Sequence, residues 1–384
     1  MELIDYLDPV IKENLFNSVK SNSIGRFAGI HSEEKGIPEL PDKGIALIGI
    51  PNFNINGKAG NTEVADAVRL HLYNLSTHDL KTGLADLGNL KQGRTPADLN
   101  AALFDITYML LSRNITPFFI GGEQKLAYQI FSAYEKFNKT VNITSVDQKP
   151  GLSGAVDGNE QSYDYLNKII LEQNNNLFNY TNIGYQSCFT TKKEIELLEE
   201  LLFDYFRLGK IRSDMKEADP VMRDTDILVF SMSAIRQSDA PVNACPSPNG
   251  LYAEEACQLA KYAGLSDRLS SAGIFDLSPG QAVNEATAHL AAQIVWYFLE
   301  GVSGRKAEYP FDKTKNCKKF IINLSESDNE LVFYKSSVSE RWWMEVPSSR
   351  IHRNLIIACS YEDYRTGCNQ EIPERWWRTF KKIN

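Results

Sequence analysis

A chain of 384 residues, 43% of them hydrophobic and 23% charged, is long enough to bury a large core and has an ordinary globular composition. Its formal net charge of −8, without a Lys/Arg-rich run, argues against nucleic acid as the main partner, because phosphates attract basic surfaces. The longest apolar run, residues 290–299, is too short for a membrane span, and the acidic start is unlike a signal peptide. Six widely spaced cysteines without a Cys-x-x-Cys pair predict neither disulfides nor a zinc site, so we expect a cytoplasmic protein.

Residues 1–35 begin with apolar side chains at helical spacing, which predicts an amphipathic helix packed on the body of the protein. The pattern consists of Leu3, Leu7, Val10, Ile11 and Leu15. Glycines loosen the segment that follows. We therefore interpret residues 1–35 as a helical leader rather than a separate domain.

Between residues 36 and 303, apolar runs of strand length alternate with amphipathic segments of helix length. Strands are predicted at 44–50, 84–88, 116–122, 141–147, 182–187, 227–230 and 273–277. Helices are predicted at 63–75, 96–113, 123–137, 163–172, 193–206, 252–262 and 284–299. The second helix has the clearest start, because Thr95 can serve as N-cap and Asp98 can complete a capping box. Such alternation favours a three-layer α/β/α sandwich with a mostly parallel sheet.

Residues 304–384 have a different character and predict a β-rich, aromatic-rich extension. Apolar runs at 318–324, 330–334 and 354–359 are typical of strands, and no helical partners are predicted for them. The string Glu-Arg-Trp-Trp occurs at 340–343 and again at 374–377. Two interpretations remain open for Trp342, Trp343, Trp376 and Trp377: they anchor the core of the extension, or they form a surface for a protein partner.

The segment from 226 to 251 is the strongest candidate for a site. A buried strand is followed by a long loop that contains Ser238-Asp-Ala-Pro241 and Pro248-Asn-Gly-Leu251. In open α/β sheets, chemistry lies beyond the carboxyl ends of strands. These residues resemble the arginase–agmatinase–formimidoylglutamase (ureohydrolase) family, most closely its formimidoylglutamase branch. The resemblance covers roughly residues 36 to 303 and implies the same three-layer α/β/α architecture.

The resemblance implies two Mn²⁺ ions held by six ligands in three motifs, which activate a hydroxide for attack on a guanidino or formimino carbon. The three motifs correspond to Gly121-Gly-Glu-Gln124, to Asp147-Gln-Lys-Pro-Gly151, and to the serines that end the strand near residue 230. The ligand positions of the family therefore fall on Gln124, Asp147, Lys149, Gly151, Ser231 and Ser233. Of these, only Asp147 is a ligand residue of the family.

The charges at these positions argue against a metal. Asp147 and Lys149 balance each other without a cation, and an ammonium group would repel a divalent ion. We therefore predict that no binuclear centre forms and that the protein has no cofactor. Asp276, in Asp276-Leu-Ser-Pro279, stands where the family has a substrate-facing glutamate, and it is one methylene shorter.

Each remaining polar residue of this vestigial site has a structural alternative. Asp147 can be an ion-paired or capping carboxylate instead of a base, and Glu123 can simply favour the positive end of a helix dipole. Lys149 can neutralise charge instead of acting as a base or nucleophile. No histidine lies in any of the three motifs to activate Ser231 or Ser233.

The function predicted from these observations is that of a catalytically inactive ureohydrolase-like protein, a pseudoenzyme that acts as a binding or assembly component. Its partner would be another protein or a second copy of itself, with no nucleic acid and no membrane span. Two alternatives are a C–N hydrolase of the formimidoylglutamase or agmatinase type, and a small-molecule sensor that uses the old substrate pocket.

Overall fold

A ten-stranded sheet forms the centre of the protein, with helices on both of its faces. The computed structural model describes residues 2–10, 20–51, 62–152, 164–172, 176–277, 285–325, 330–350 and 354–384. The strands of this sheet are β1 Leu7–Asp8, β2 Gly29–Ile30, β3 Ile45–Gly49, β4 Leu84–Leu90, β5 Thr116–Ile120, β6 Val141–Val146, β7 Leu177–Tyr185, β8 Asp204–Arg207, β9 Ile227–Ser231 and β10 Ser271–Phe275. The helices around it are α1 Leu3–Tyr6, α2 Ile24–Phe27, α3 Glu63–Leu72, α4 Pro96–Leu111, α5 Ala127–Tyr134, α6 Tyr165–Leu171, α7 Lys192–Glu200, α8 Leu208–Ser213, α9 Ala218–Arg223, α10 Ala253–Gly264 and α11 Glu285–Ser303.

The strand order is β1-β4-β3-β5-β10-β9-β6-β7-β8, with β2 also beside β4, and the strands pair in parallel except for β1 with β4. Successive side chains of a strand point to opposite faces, so Leu47 and Ile48 of β3 belong to different hydrophobic clusters. Both are fully buried because helices cover both faces. The predicted three-layer sandwich with a mostly parallel sheet is confirmed.

Local signals place several element boundaries as predicted. Thr95 caps α4: its Oγ1 accepts a hydrogen bond from Asp98 N at 3.3 Å, and the Asp98 carboxylate accepts one from Thr95 N at 2.8 Å. This capping box satisfies two backbone N–H groups that the helix itself leaves unpaired. The predicted start of this helix is confirmed.

The described part of the expected helical leader contains only short helical turns, and the leader as a whole stays a prediction. α1 is a single turn, and the chain then continues as β1, in which Leu7 pairs with Leu90 of β4. Ile11 and Leu15, which belong to the predicted pattern, lie outside the described residues. Apolar residues at positions 3, 7 and 10 also suit a chain that lies along a sheet edge, so helical spacing alone was ambiguous.

The predicted helix at 193–206 is two elements. α7 ends at Glu200, and Leu202 then adopts a left-handed backbone conformation with φ 57°. This reversal returns the chain to the sheet, where Asp204–Arg207 form the edge strand β8 beside β7. The amphipathic pattern of the sequence continues through both elements, so it could not show where the helix ends and the strand begins.

The extension forms its own antiparallel sheet of four strands, β11 Cys317–Asn323, β12 Glu330–Ser336, β13 Trp342–Val346 and β14 Leu355–Cys359. Two helices follow, α12 Tyr361–Cys368 and α13 Glu374–Ile383, so the prediction of strands without helical partners is wrong. The first Glu-Arg-Trp-Trp string leads into β13 and the second opens α13, so the two strings are not a structural repeat.

Candidate functional site

Four strands that lie side by side, β5, β10, β9 and β6, bring polar residues to their carboxyl ends. Ser231 Oγ donates a hydrogen bond to Asp276 Oδ2 at 2.7 Å, and Gln124 N donates one to Asp276 Oδ1 at 3.0 Å. The Gln124 side chain donates to Ser145 Oγ at 3.3 Å and also bonds to Asp147. The predicted residues Gln124, Asp147, Ser231 and Asp276 therefore form one hydrogen-bonded cluster, which we call the carboxyl-end cluster.

Unusual backbone conformations position this cluster. Gly121 and Gly122 have φ of 93° and 75°, values that favour glycine, and a Cβ at Gly122 would lie 2.8 Å from Leu126 Cδ1. Asp276 also has a positive φ of 62°, and its N donates to Gly122 O at 2.9 Å. The two turns after β5 and β10 are thus bonded together, which aims the Asp276 carboxylate at Gln124 and Ser231.

Burial dominates the electrostatics of the cluster. The side chain of Asp147 is 2% exposed, and its burial, followed by the nearby carboxylate of Asp276, raises its pKa from the usual 3.8 to about 8. Burial also raises the pKa of Asp276, against the opposing hydrogen bonds from Ser231 and Gln124 N. Ionisation of both buried carboxyl groups is unfavourable because their charges repel, and either a proton or a cation relieves this repulsion.

Lys149 acts on Asp147 less strongly than the sequence suggested. The ammonium group favours the ionised form of Asp147, as does the hydrogen bond from Gln148 N at 2.7 Å, but burial outweighs both. The expectation that one ammonium cancels one carboxylate therefore needs correction, because simple charge counting omits the desolvation of a buried group.

An aromatic ring lies against Gly151, the position at which the resemblance expects the family's second aspartate. A Cβ at Gly151 would lie 2.6 Å from Cε1 of Tyr165, and real Cβ atoms do not approach so closely. Tyr165 is 1% exposed, so its ring has little room to move away. Gly151 N donates to Tyr180 Oη at 3.4 Å on the same side. A carboxylate side chain at position 151 does not fit this arrangement.

Ser233 and Glu123 do not belong to the contacts around Asp276. Ser233 is buried beside the cluster, and its N donates to Ser231 Oγ at 3.1 Å. Glu123 forms an exposed ion pair with Lys125 at 2.6 Å. Glu123 acts on Asp276 only as a neighbouring charge that raises the pKa of Asp276.

The donor chemistry of the cluster does not fit two Mn²⁺ ions. Manganese prefers carboxylate oxygens completed by imidazoles, whereas the cluster offers two carboxylates, an amide and a hydroxyl, and no imidazole. In the described ranges, no three His, Cys, Asp or Glu side chains come together as a metal-binding group. The predicted turn Asp276-Leu-Ser-Pro279 is described only in part, because Ser278 and Pro279 lie outside those ranges.

Amides that the sequence analysis missed connect the loop after β9 to the site. Gln148 Nε2 donates to Cys245 O at 3.2 Å, and Gln186 exchanges hydrogen bonds with Asn249 at 2.8 and 3.1 Å. Gln148 and Gln186 follow directly after β6 and β7, and that position was a readable signal. Asp239 of the loop motif bonds to Ala253 N at 2.9 Å, so this motif sets loop geometry at the start of α10.

The four tryptophans of the extension do not share one surface. Trp376 and Trp343 are 3% and 7% exposed, and Trp376 Nε1 donates to Glu345 O at 2.9 Å. Trp342 is half-buried, and Trp377 is 43% exposed. Of the two interpretations, burial favours the core for Trp343 and Trp376, whereas a partner surface stays a prediction for the exposed Trp377.

The fold is a largely parallel α/β sandwich, and a polar cluster lies where its central strands end. These two features define a class of α/β proteins that place their sites at the carboxyl edge of the sheet. A model of the Arginase family matches residues 43–300, and the chain belongs to this family. The match ends before β11, so the extension lies outside it.

Relatives within the family are similar at low sequence identity. The chain is 23% identical to a formimidoylglutamase of Staphylococcus aureus (strain JH9) over 267 residues, which cover 67% of this chain and 83% of the relative. The crystal structure of formimidoylglutamase from Bacillus subtilis superposes with a TM-score of 0.65 at 19% identity, covering 77% of this chain and 97% of the other. Trypanosoma cruzi formiminoglutamase with Mn²⁺ gives a TM-score of 0.62 at 20% identity, over 74% of this chain and 99% of that chain. The resemblance predicted from the sequence is confirmed at the level of family and fold.

No helix in the described ranges combines the length and the apolarity that crossing a membrane requires.

Proposed function

We propose that this arginase-family chain is a catalytically inactive member, a pseudoenzyme, that acts as a binding or assembly component. The observation that carries the proposal is the ring of Tyr165 at Gly151, which occupies the place of a metal-binding carboxylate. Where a ligand residue is only absent, a water molecule can take its place on a metal ion. Where a buried ring fills the space, water cannot enter.

The contacts of the carboxyl-end cluster support the same conclusion. Asp276 receives hydrogen bonds from Ser231 Oγ and from Gln124 N, so both of its oxygens are already partnered by protein groups. The Asp276 carboxylate, at the position where the resemblance expects a substrate-facing group, is therefore bound within the protein instead of being free for a substrate.

The binding role rests on what the fold retains. The loop after β9 is held by Asp239 at the start of α10 and by the Gln186–Asn249 pair, so the frame of a pocket persists without ligands for a metal. A small-molecule sensor that uses this pocket is one form of this proposal. A protein partner or a second copy of the chain is the other form, and the exposed Trp377 is a candidate contact for it.

A second candidate function is hydrolysis of C–N bonds of the formimidoylglutamase or agmatinase type. The names of the relatives favour it, since they include formimidoylglutamases and an agmatine ureohydrolase. Asp147 adds a specific observation, because a buried carboxyl with a pKa of about 8 can exchange a proton near neutral pH.

Metal content and turnover, measured on the same preparation, separate the two functions. We expect full-length protein incubated with excess Mn²⁺ and then desalted to retain well below one equivalent per chain, with no turnover of formiminoglutamate, agmatine or arginine. Retention of about two equivalents, as in binuclear enzymes, together with turnover that Asp147→Asn abolishes, would establish the hydrolase.

A further inference from the structure

A cavity of about 330 Å³ lies at the other end of the same strands, between the sheet and the C-terminal extension. Its lining includes residues at or before the amino ends of β6, β7, β8 and β9, and residues of β14 and α13. The carboxyl-end cluster lies beyond the opposite ends of these strands. The cavity is within the usual size range of pockets for small molecules.

The floor of the cavity is polar where a covered sheet face is ordinarily apolar. Asn142 of β6 pairs in register with Asn179 of β7, and Thr144 pairs with Thr181, so two rows of polar side chains cross the strands. All four line the cavity, as does Thr225, whose hydroxyl lies 2.6 Å from that of Thr144. The extension covers this polar face instead of leaving it to solvent.

The roof is the cationic face of α13. Arg375, Arg378, Thr379 and Lys382 line the cavity, and their i, i+3, i+4, i+7 spacing places them on one side of the helix. The opposite side packs on the four-stranded sheet through Trp376, Phe380 and Ile383. A helix of this kind ordinarily turns its charged face to water, whereas α13 turns it inward.

Two cations of this face have no hydrogen-bonded carboxylate among the described residues. Lys382 Nζ contacts the amide oxygen of Asn179 and lies over the rings of Phe178 and Phe203 at 5.7 and 5.3 Å, and no carboxylate of the described residues lies within 4.0 Å of it. Burial lowers the pKa of Lys382 to about 8, against the opposing charge of Asp204. The Arg375 guanidinium donates no hydrogen bond within the described residues, and its buried Nε lies 3.6 Å from Asp363 Oδ2. Burial opposes the charged form of Arg375, but the charges of Asp363, Asp204, Asp224 and Glu217 raise its pKa overall.

The other charged residues of the lining already have partners. Arg268 pairs with the buried Asp226 at 2.8 Å, and Arg378 pairs with Glu374 at 2.8 Å. Among the carboxylates, Asp204 accepts from Asn179 Nδ2 at 2.9 Å.

The remaining carboxylate of the lining, Asp224, accepts from Ala358 N at 3.0 Å. Arg375 and Lys382 are consequently the lining cations that hold no carboxylate in a hydrogen bond, although the charge of Asp204 acts on both. Buried donors without acceptors are costly, and a guanidinium is suited to oxyanions.

We propose that this cavity binds a small organic oxyanion, a carboxylate or a phosphate, held between Arg375 and Lys382 of α13. The threonine and asparagine rows on β6 and β7 would receive its hydroxyl or carbonyl groups. This inference goes beyond the proposed function and does not depend on it, because the cavity is remote from the carboxyl-end cluster.

Calorimetric titration of the full-length protein with citrate and, separately, with inorganic phosphate tests the proposal and distinguishes the two kinds of oxyanion. The informative variant is Lys382→Gln, with Arg375→Gln as a second. Lys381→Gln is the matched control, because Lys381 is an exposed neighbour on the same helix and does not line the cavity. Melting temperatures of all variants show whether each is folded.

We expect saturable binding of at least one probe, weakened about tenfold or more by Lys382→Gln and within about twofold of the parent for Lys381→Gln. Because burial disfavours the charged form of Lys382, the Lys382→Gln variant should fold, and this variant decides the test if Arg375→Gln does not fold. The proposal is overturned if neither probe binds at about 10 mM, or if Lys382→Gln binds as tightly as Lys381→Gln.

Discussion

At the scale of single residues, the notable feature is how the positions that the resemblance assigns to metal ligands are used. Ser231 and Gln124 donate to Asp276, while Gly151 leaves room for the ring of Tyr165. Each replacement therefore has a local structural partner.

Gly151→Ala should destabilise the protein by about 1–3 kcal/mol, because the added methyl group would overlap the ring of Tyr165. Urea unfolding measures the change. Gly209→Ala is the control, since nothing lies within 4 Å of a Cβ there, and in helix α8 it should be neutral or stabilising. Equal stability of Gly151→Ala and the parent would show that Tyr165 yields easily and that position 151 can accept a side chain.

Asp147→Asn should stabilise the protein increasingly as pH rises from 5 to 8. The folded protein holds a proton on Asp147 up to a pKa of about 8, while the unfolded chain releases it near 3.8. The folded state thus binds more protons between these values, and its stability falls as pH rises through that window. The asparagine variant lacks this loss.

Thermal unfolding at pH 5 and pH 8 tests this, with an expected advantage of about 2–4 °C at pH 8 and little at pH 5. Asp79→Asn, at an exposed position, controls for the change in net charge. A variant less stable than the parent at pH 8 would mean that the carboxylate is ionised and stabilised there, as a bound cation would make it.

At the scale of elements, α13 joins the two parts of the molecule. Trp376, Phe380 and Ile383 pack on the four-stranded sheet, and Arg378 Nη1 donates to Phe203 O at 2.7 Å beside the edge strand β8. The helix therefore has an apolar attachment to the extension and a polar one to the main sheet.

Trp376→Ala should destabilise the protein by about 3–5 kcal/mol, since it removes a buried ring and leaves Glu345 O without its donor. Trp377→Ala, at the adjacent exposed position, should cost less than about 1 kcal/mol. Chemical unfolding of both variants gives the comparison. Similar losses for the two would place Trp377 in a packed environment, against the exposure seen here.

At the scale of the whole molecule, the main domain and the extension are tied by hydrogen bonds as well as by α13. Arg223 at the end of α9 donates to Trp342 O at 3.0 Å and to Cys359 O at 2.8 Å. Asp224 accepts from Ala358 N at 3.0 Å. The extension begins at residue 304 in the sequence analysis, but its contacts reach back across more than 100 residues.

We expect a single cooperative thermal transition, because unfolding of the extension would expose the buried charges of Arg223 and Asp224 in the main domain. Differential scanning calorimetry, with near-UV circular dichroism of the tryptophans as a second probe, measures it. Two separated transitions would instead show that residues 304–384 are an independent unit.

The sequence by itself determined the alternation of strands and helices, the start of α4 at its capping box, the family, and the residue types at the positions that the resemblance assigns to ligands. These features depend on hydrogen bonds and side-chain spacing within a few residues, which local patterns record. Only the tertiary structure decided four other features. These are the hydrogen bonds of Asp276 with Gln124 and Ser231, the ring of Tyr165 at Gly151, the edge strands β1 and β8, and the inward cationic face of α13. Each of these depends on contacts between distant segments and on the loss of water around them, and local spacing carries no information about either.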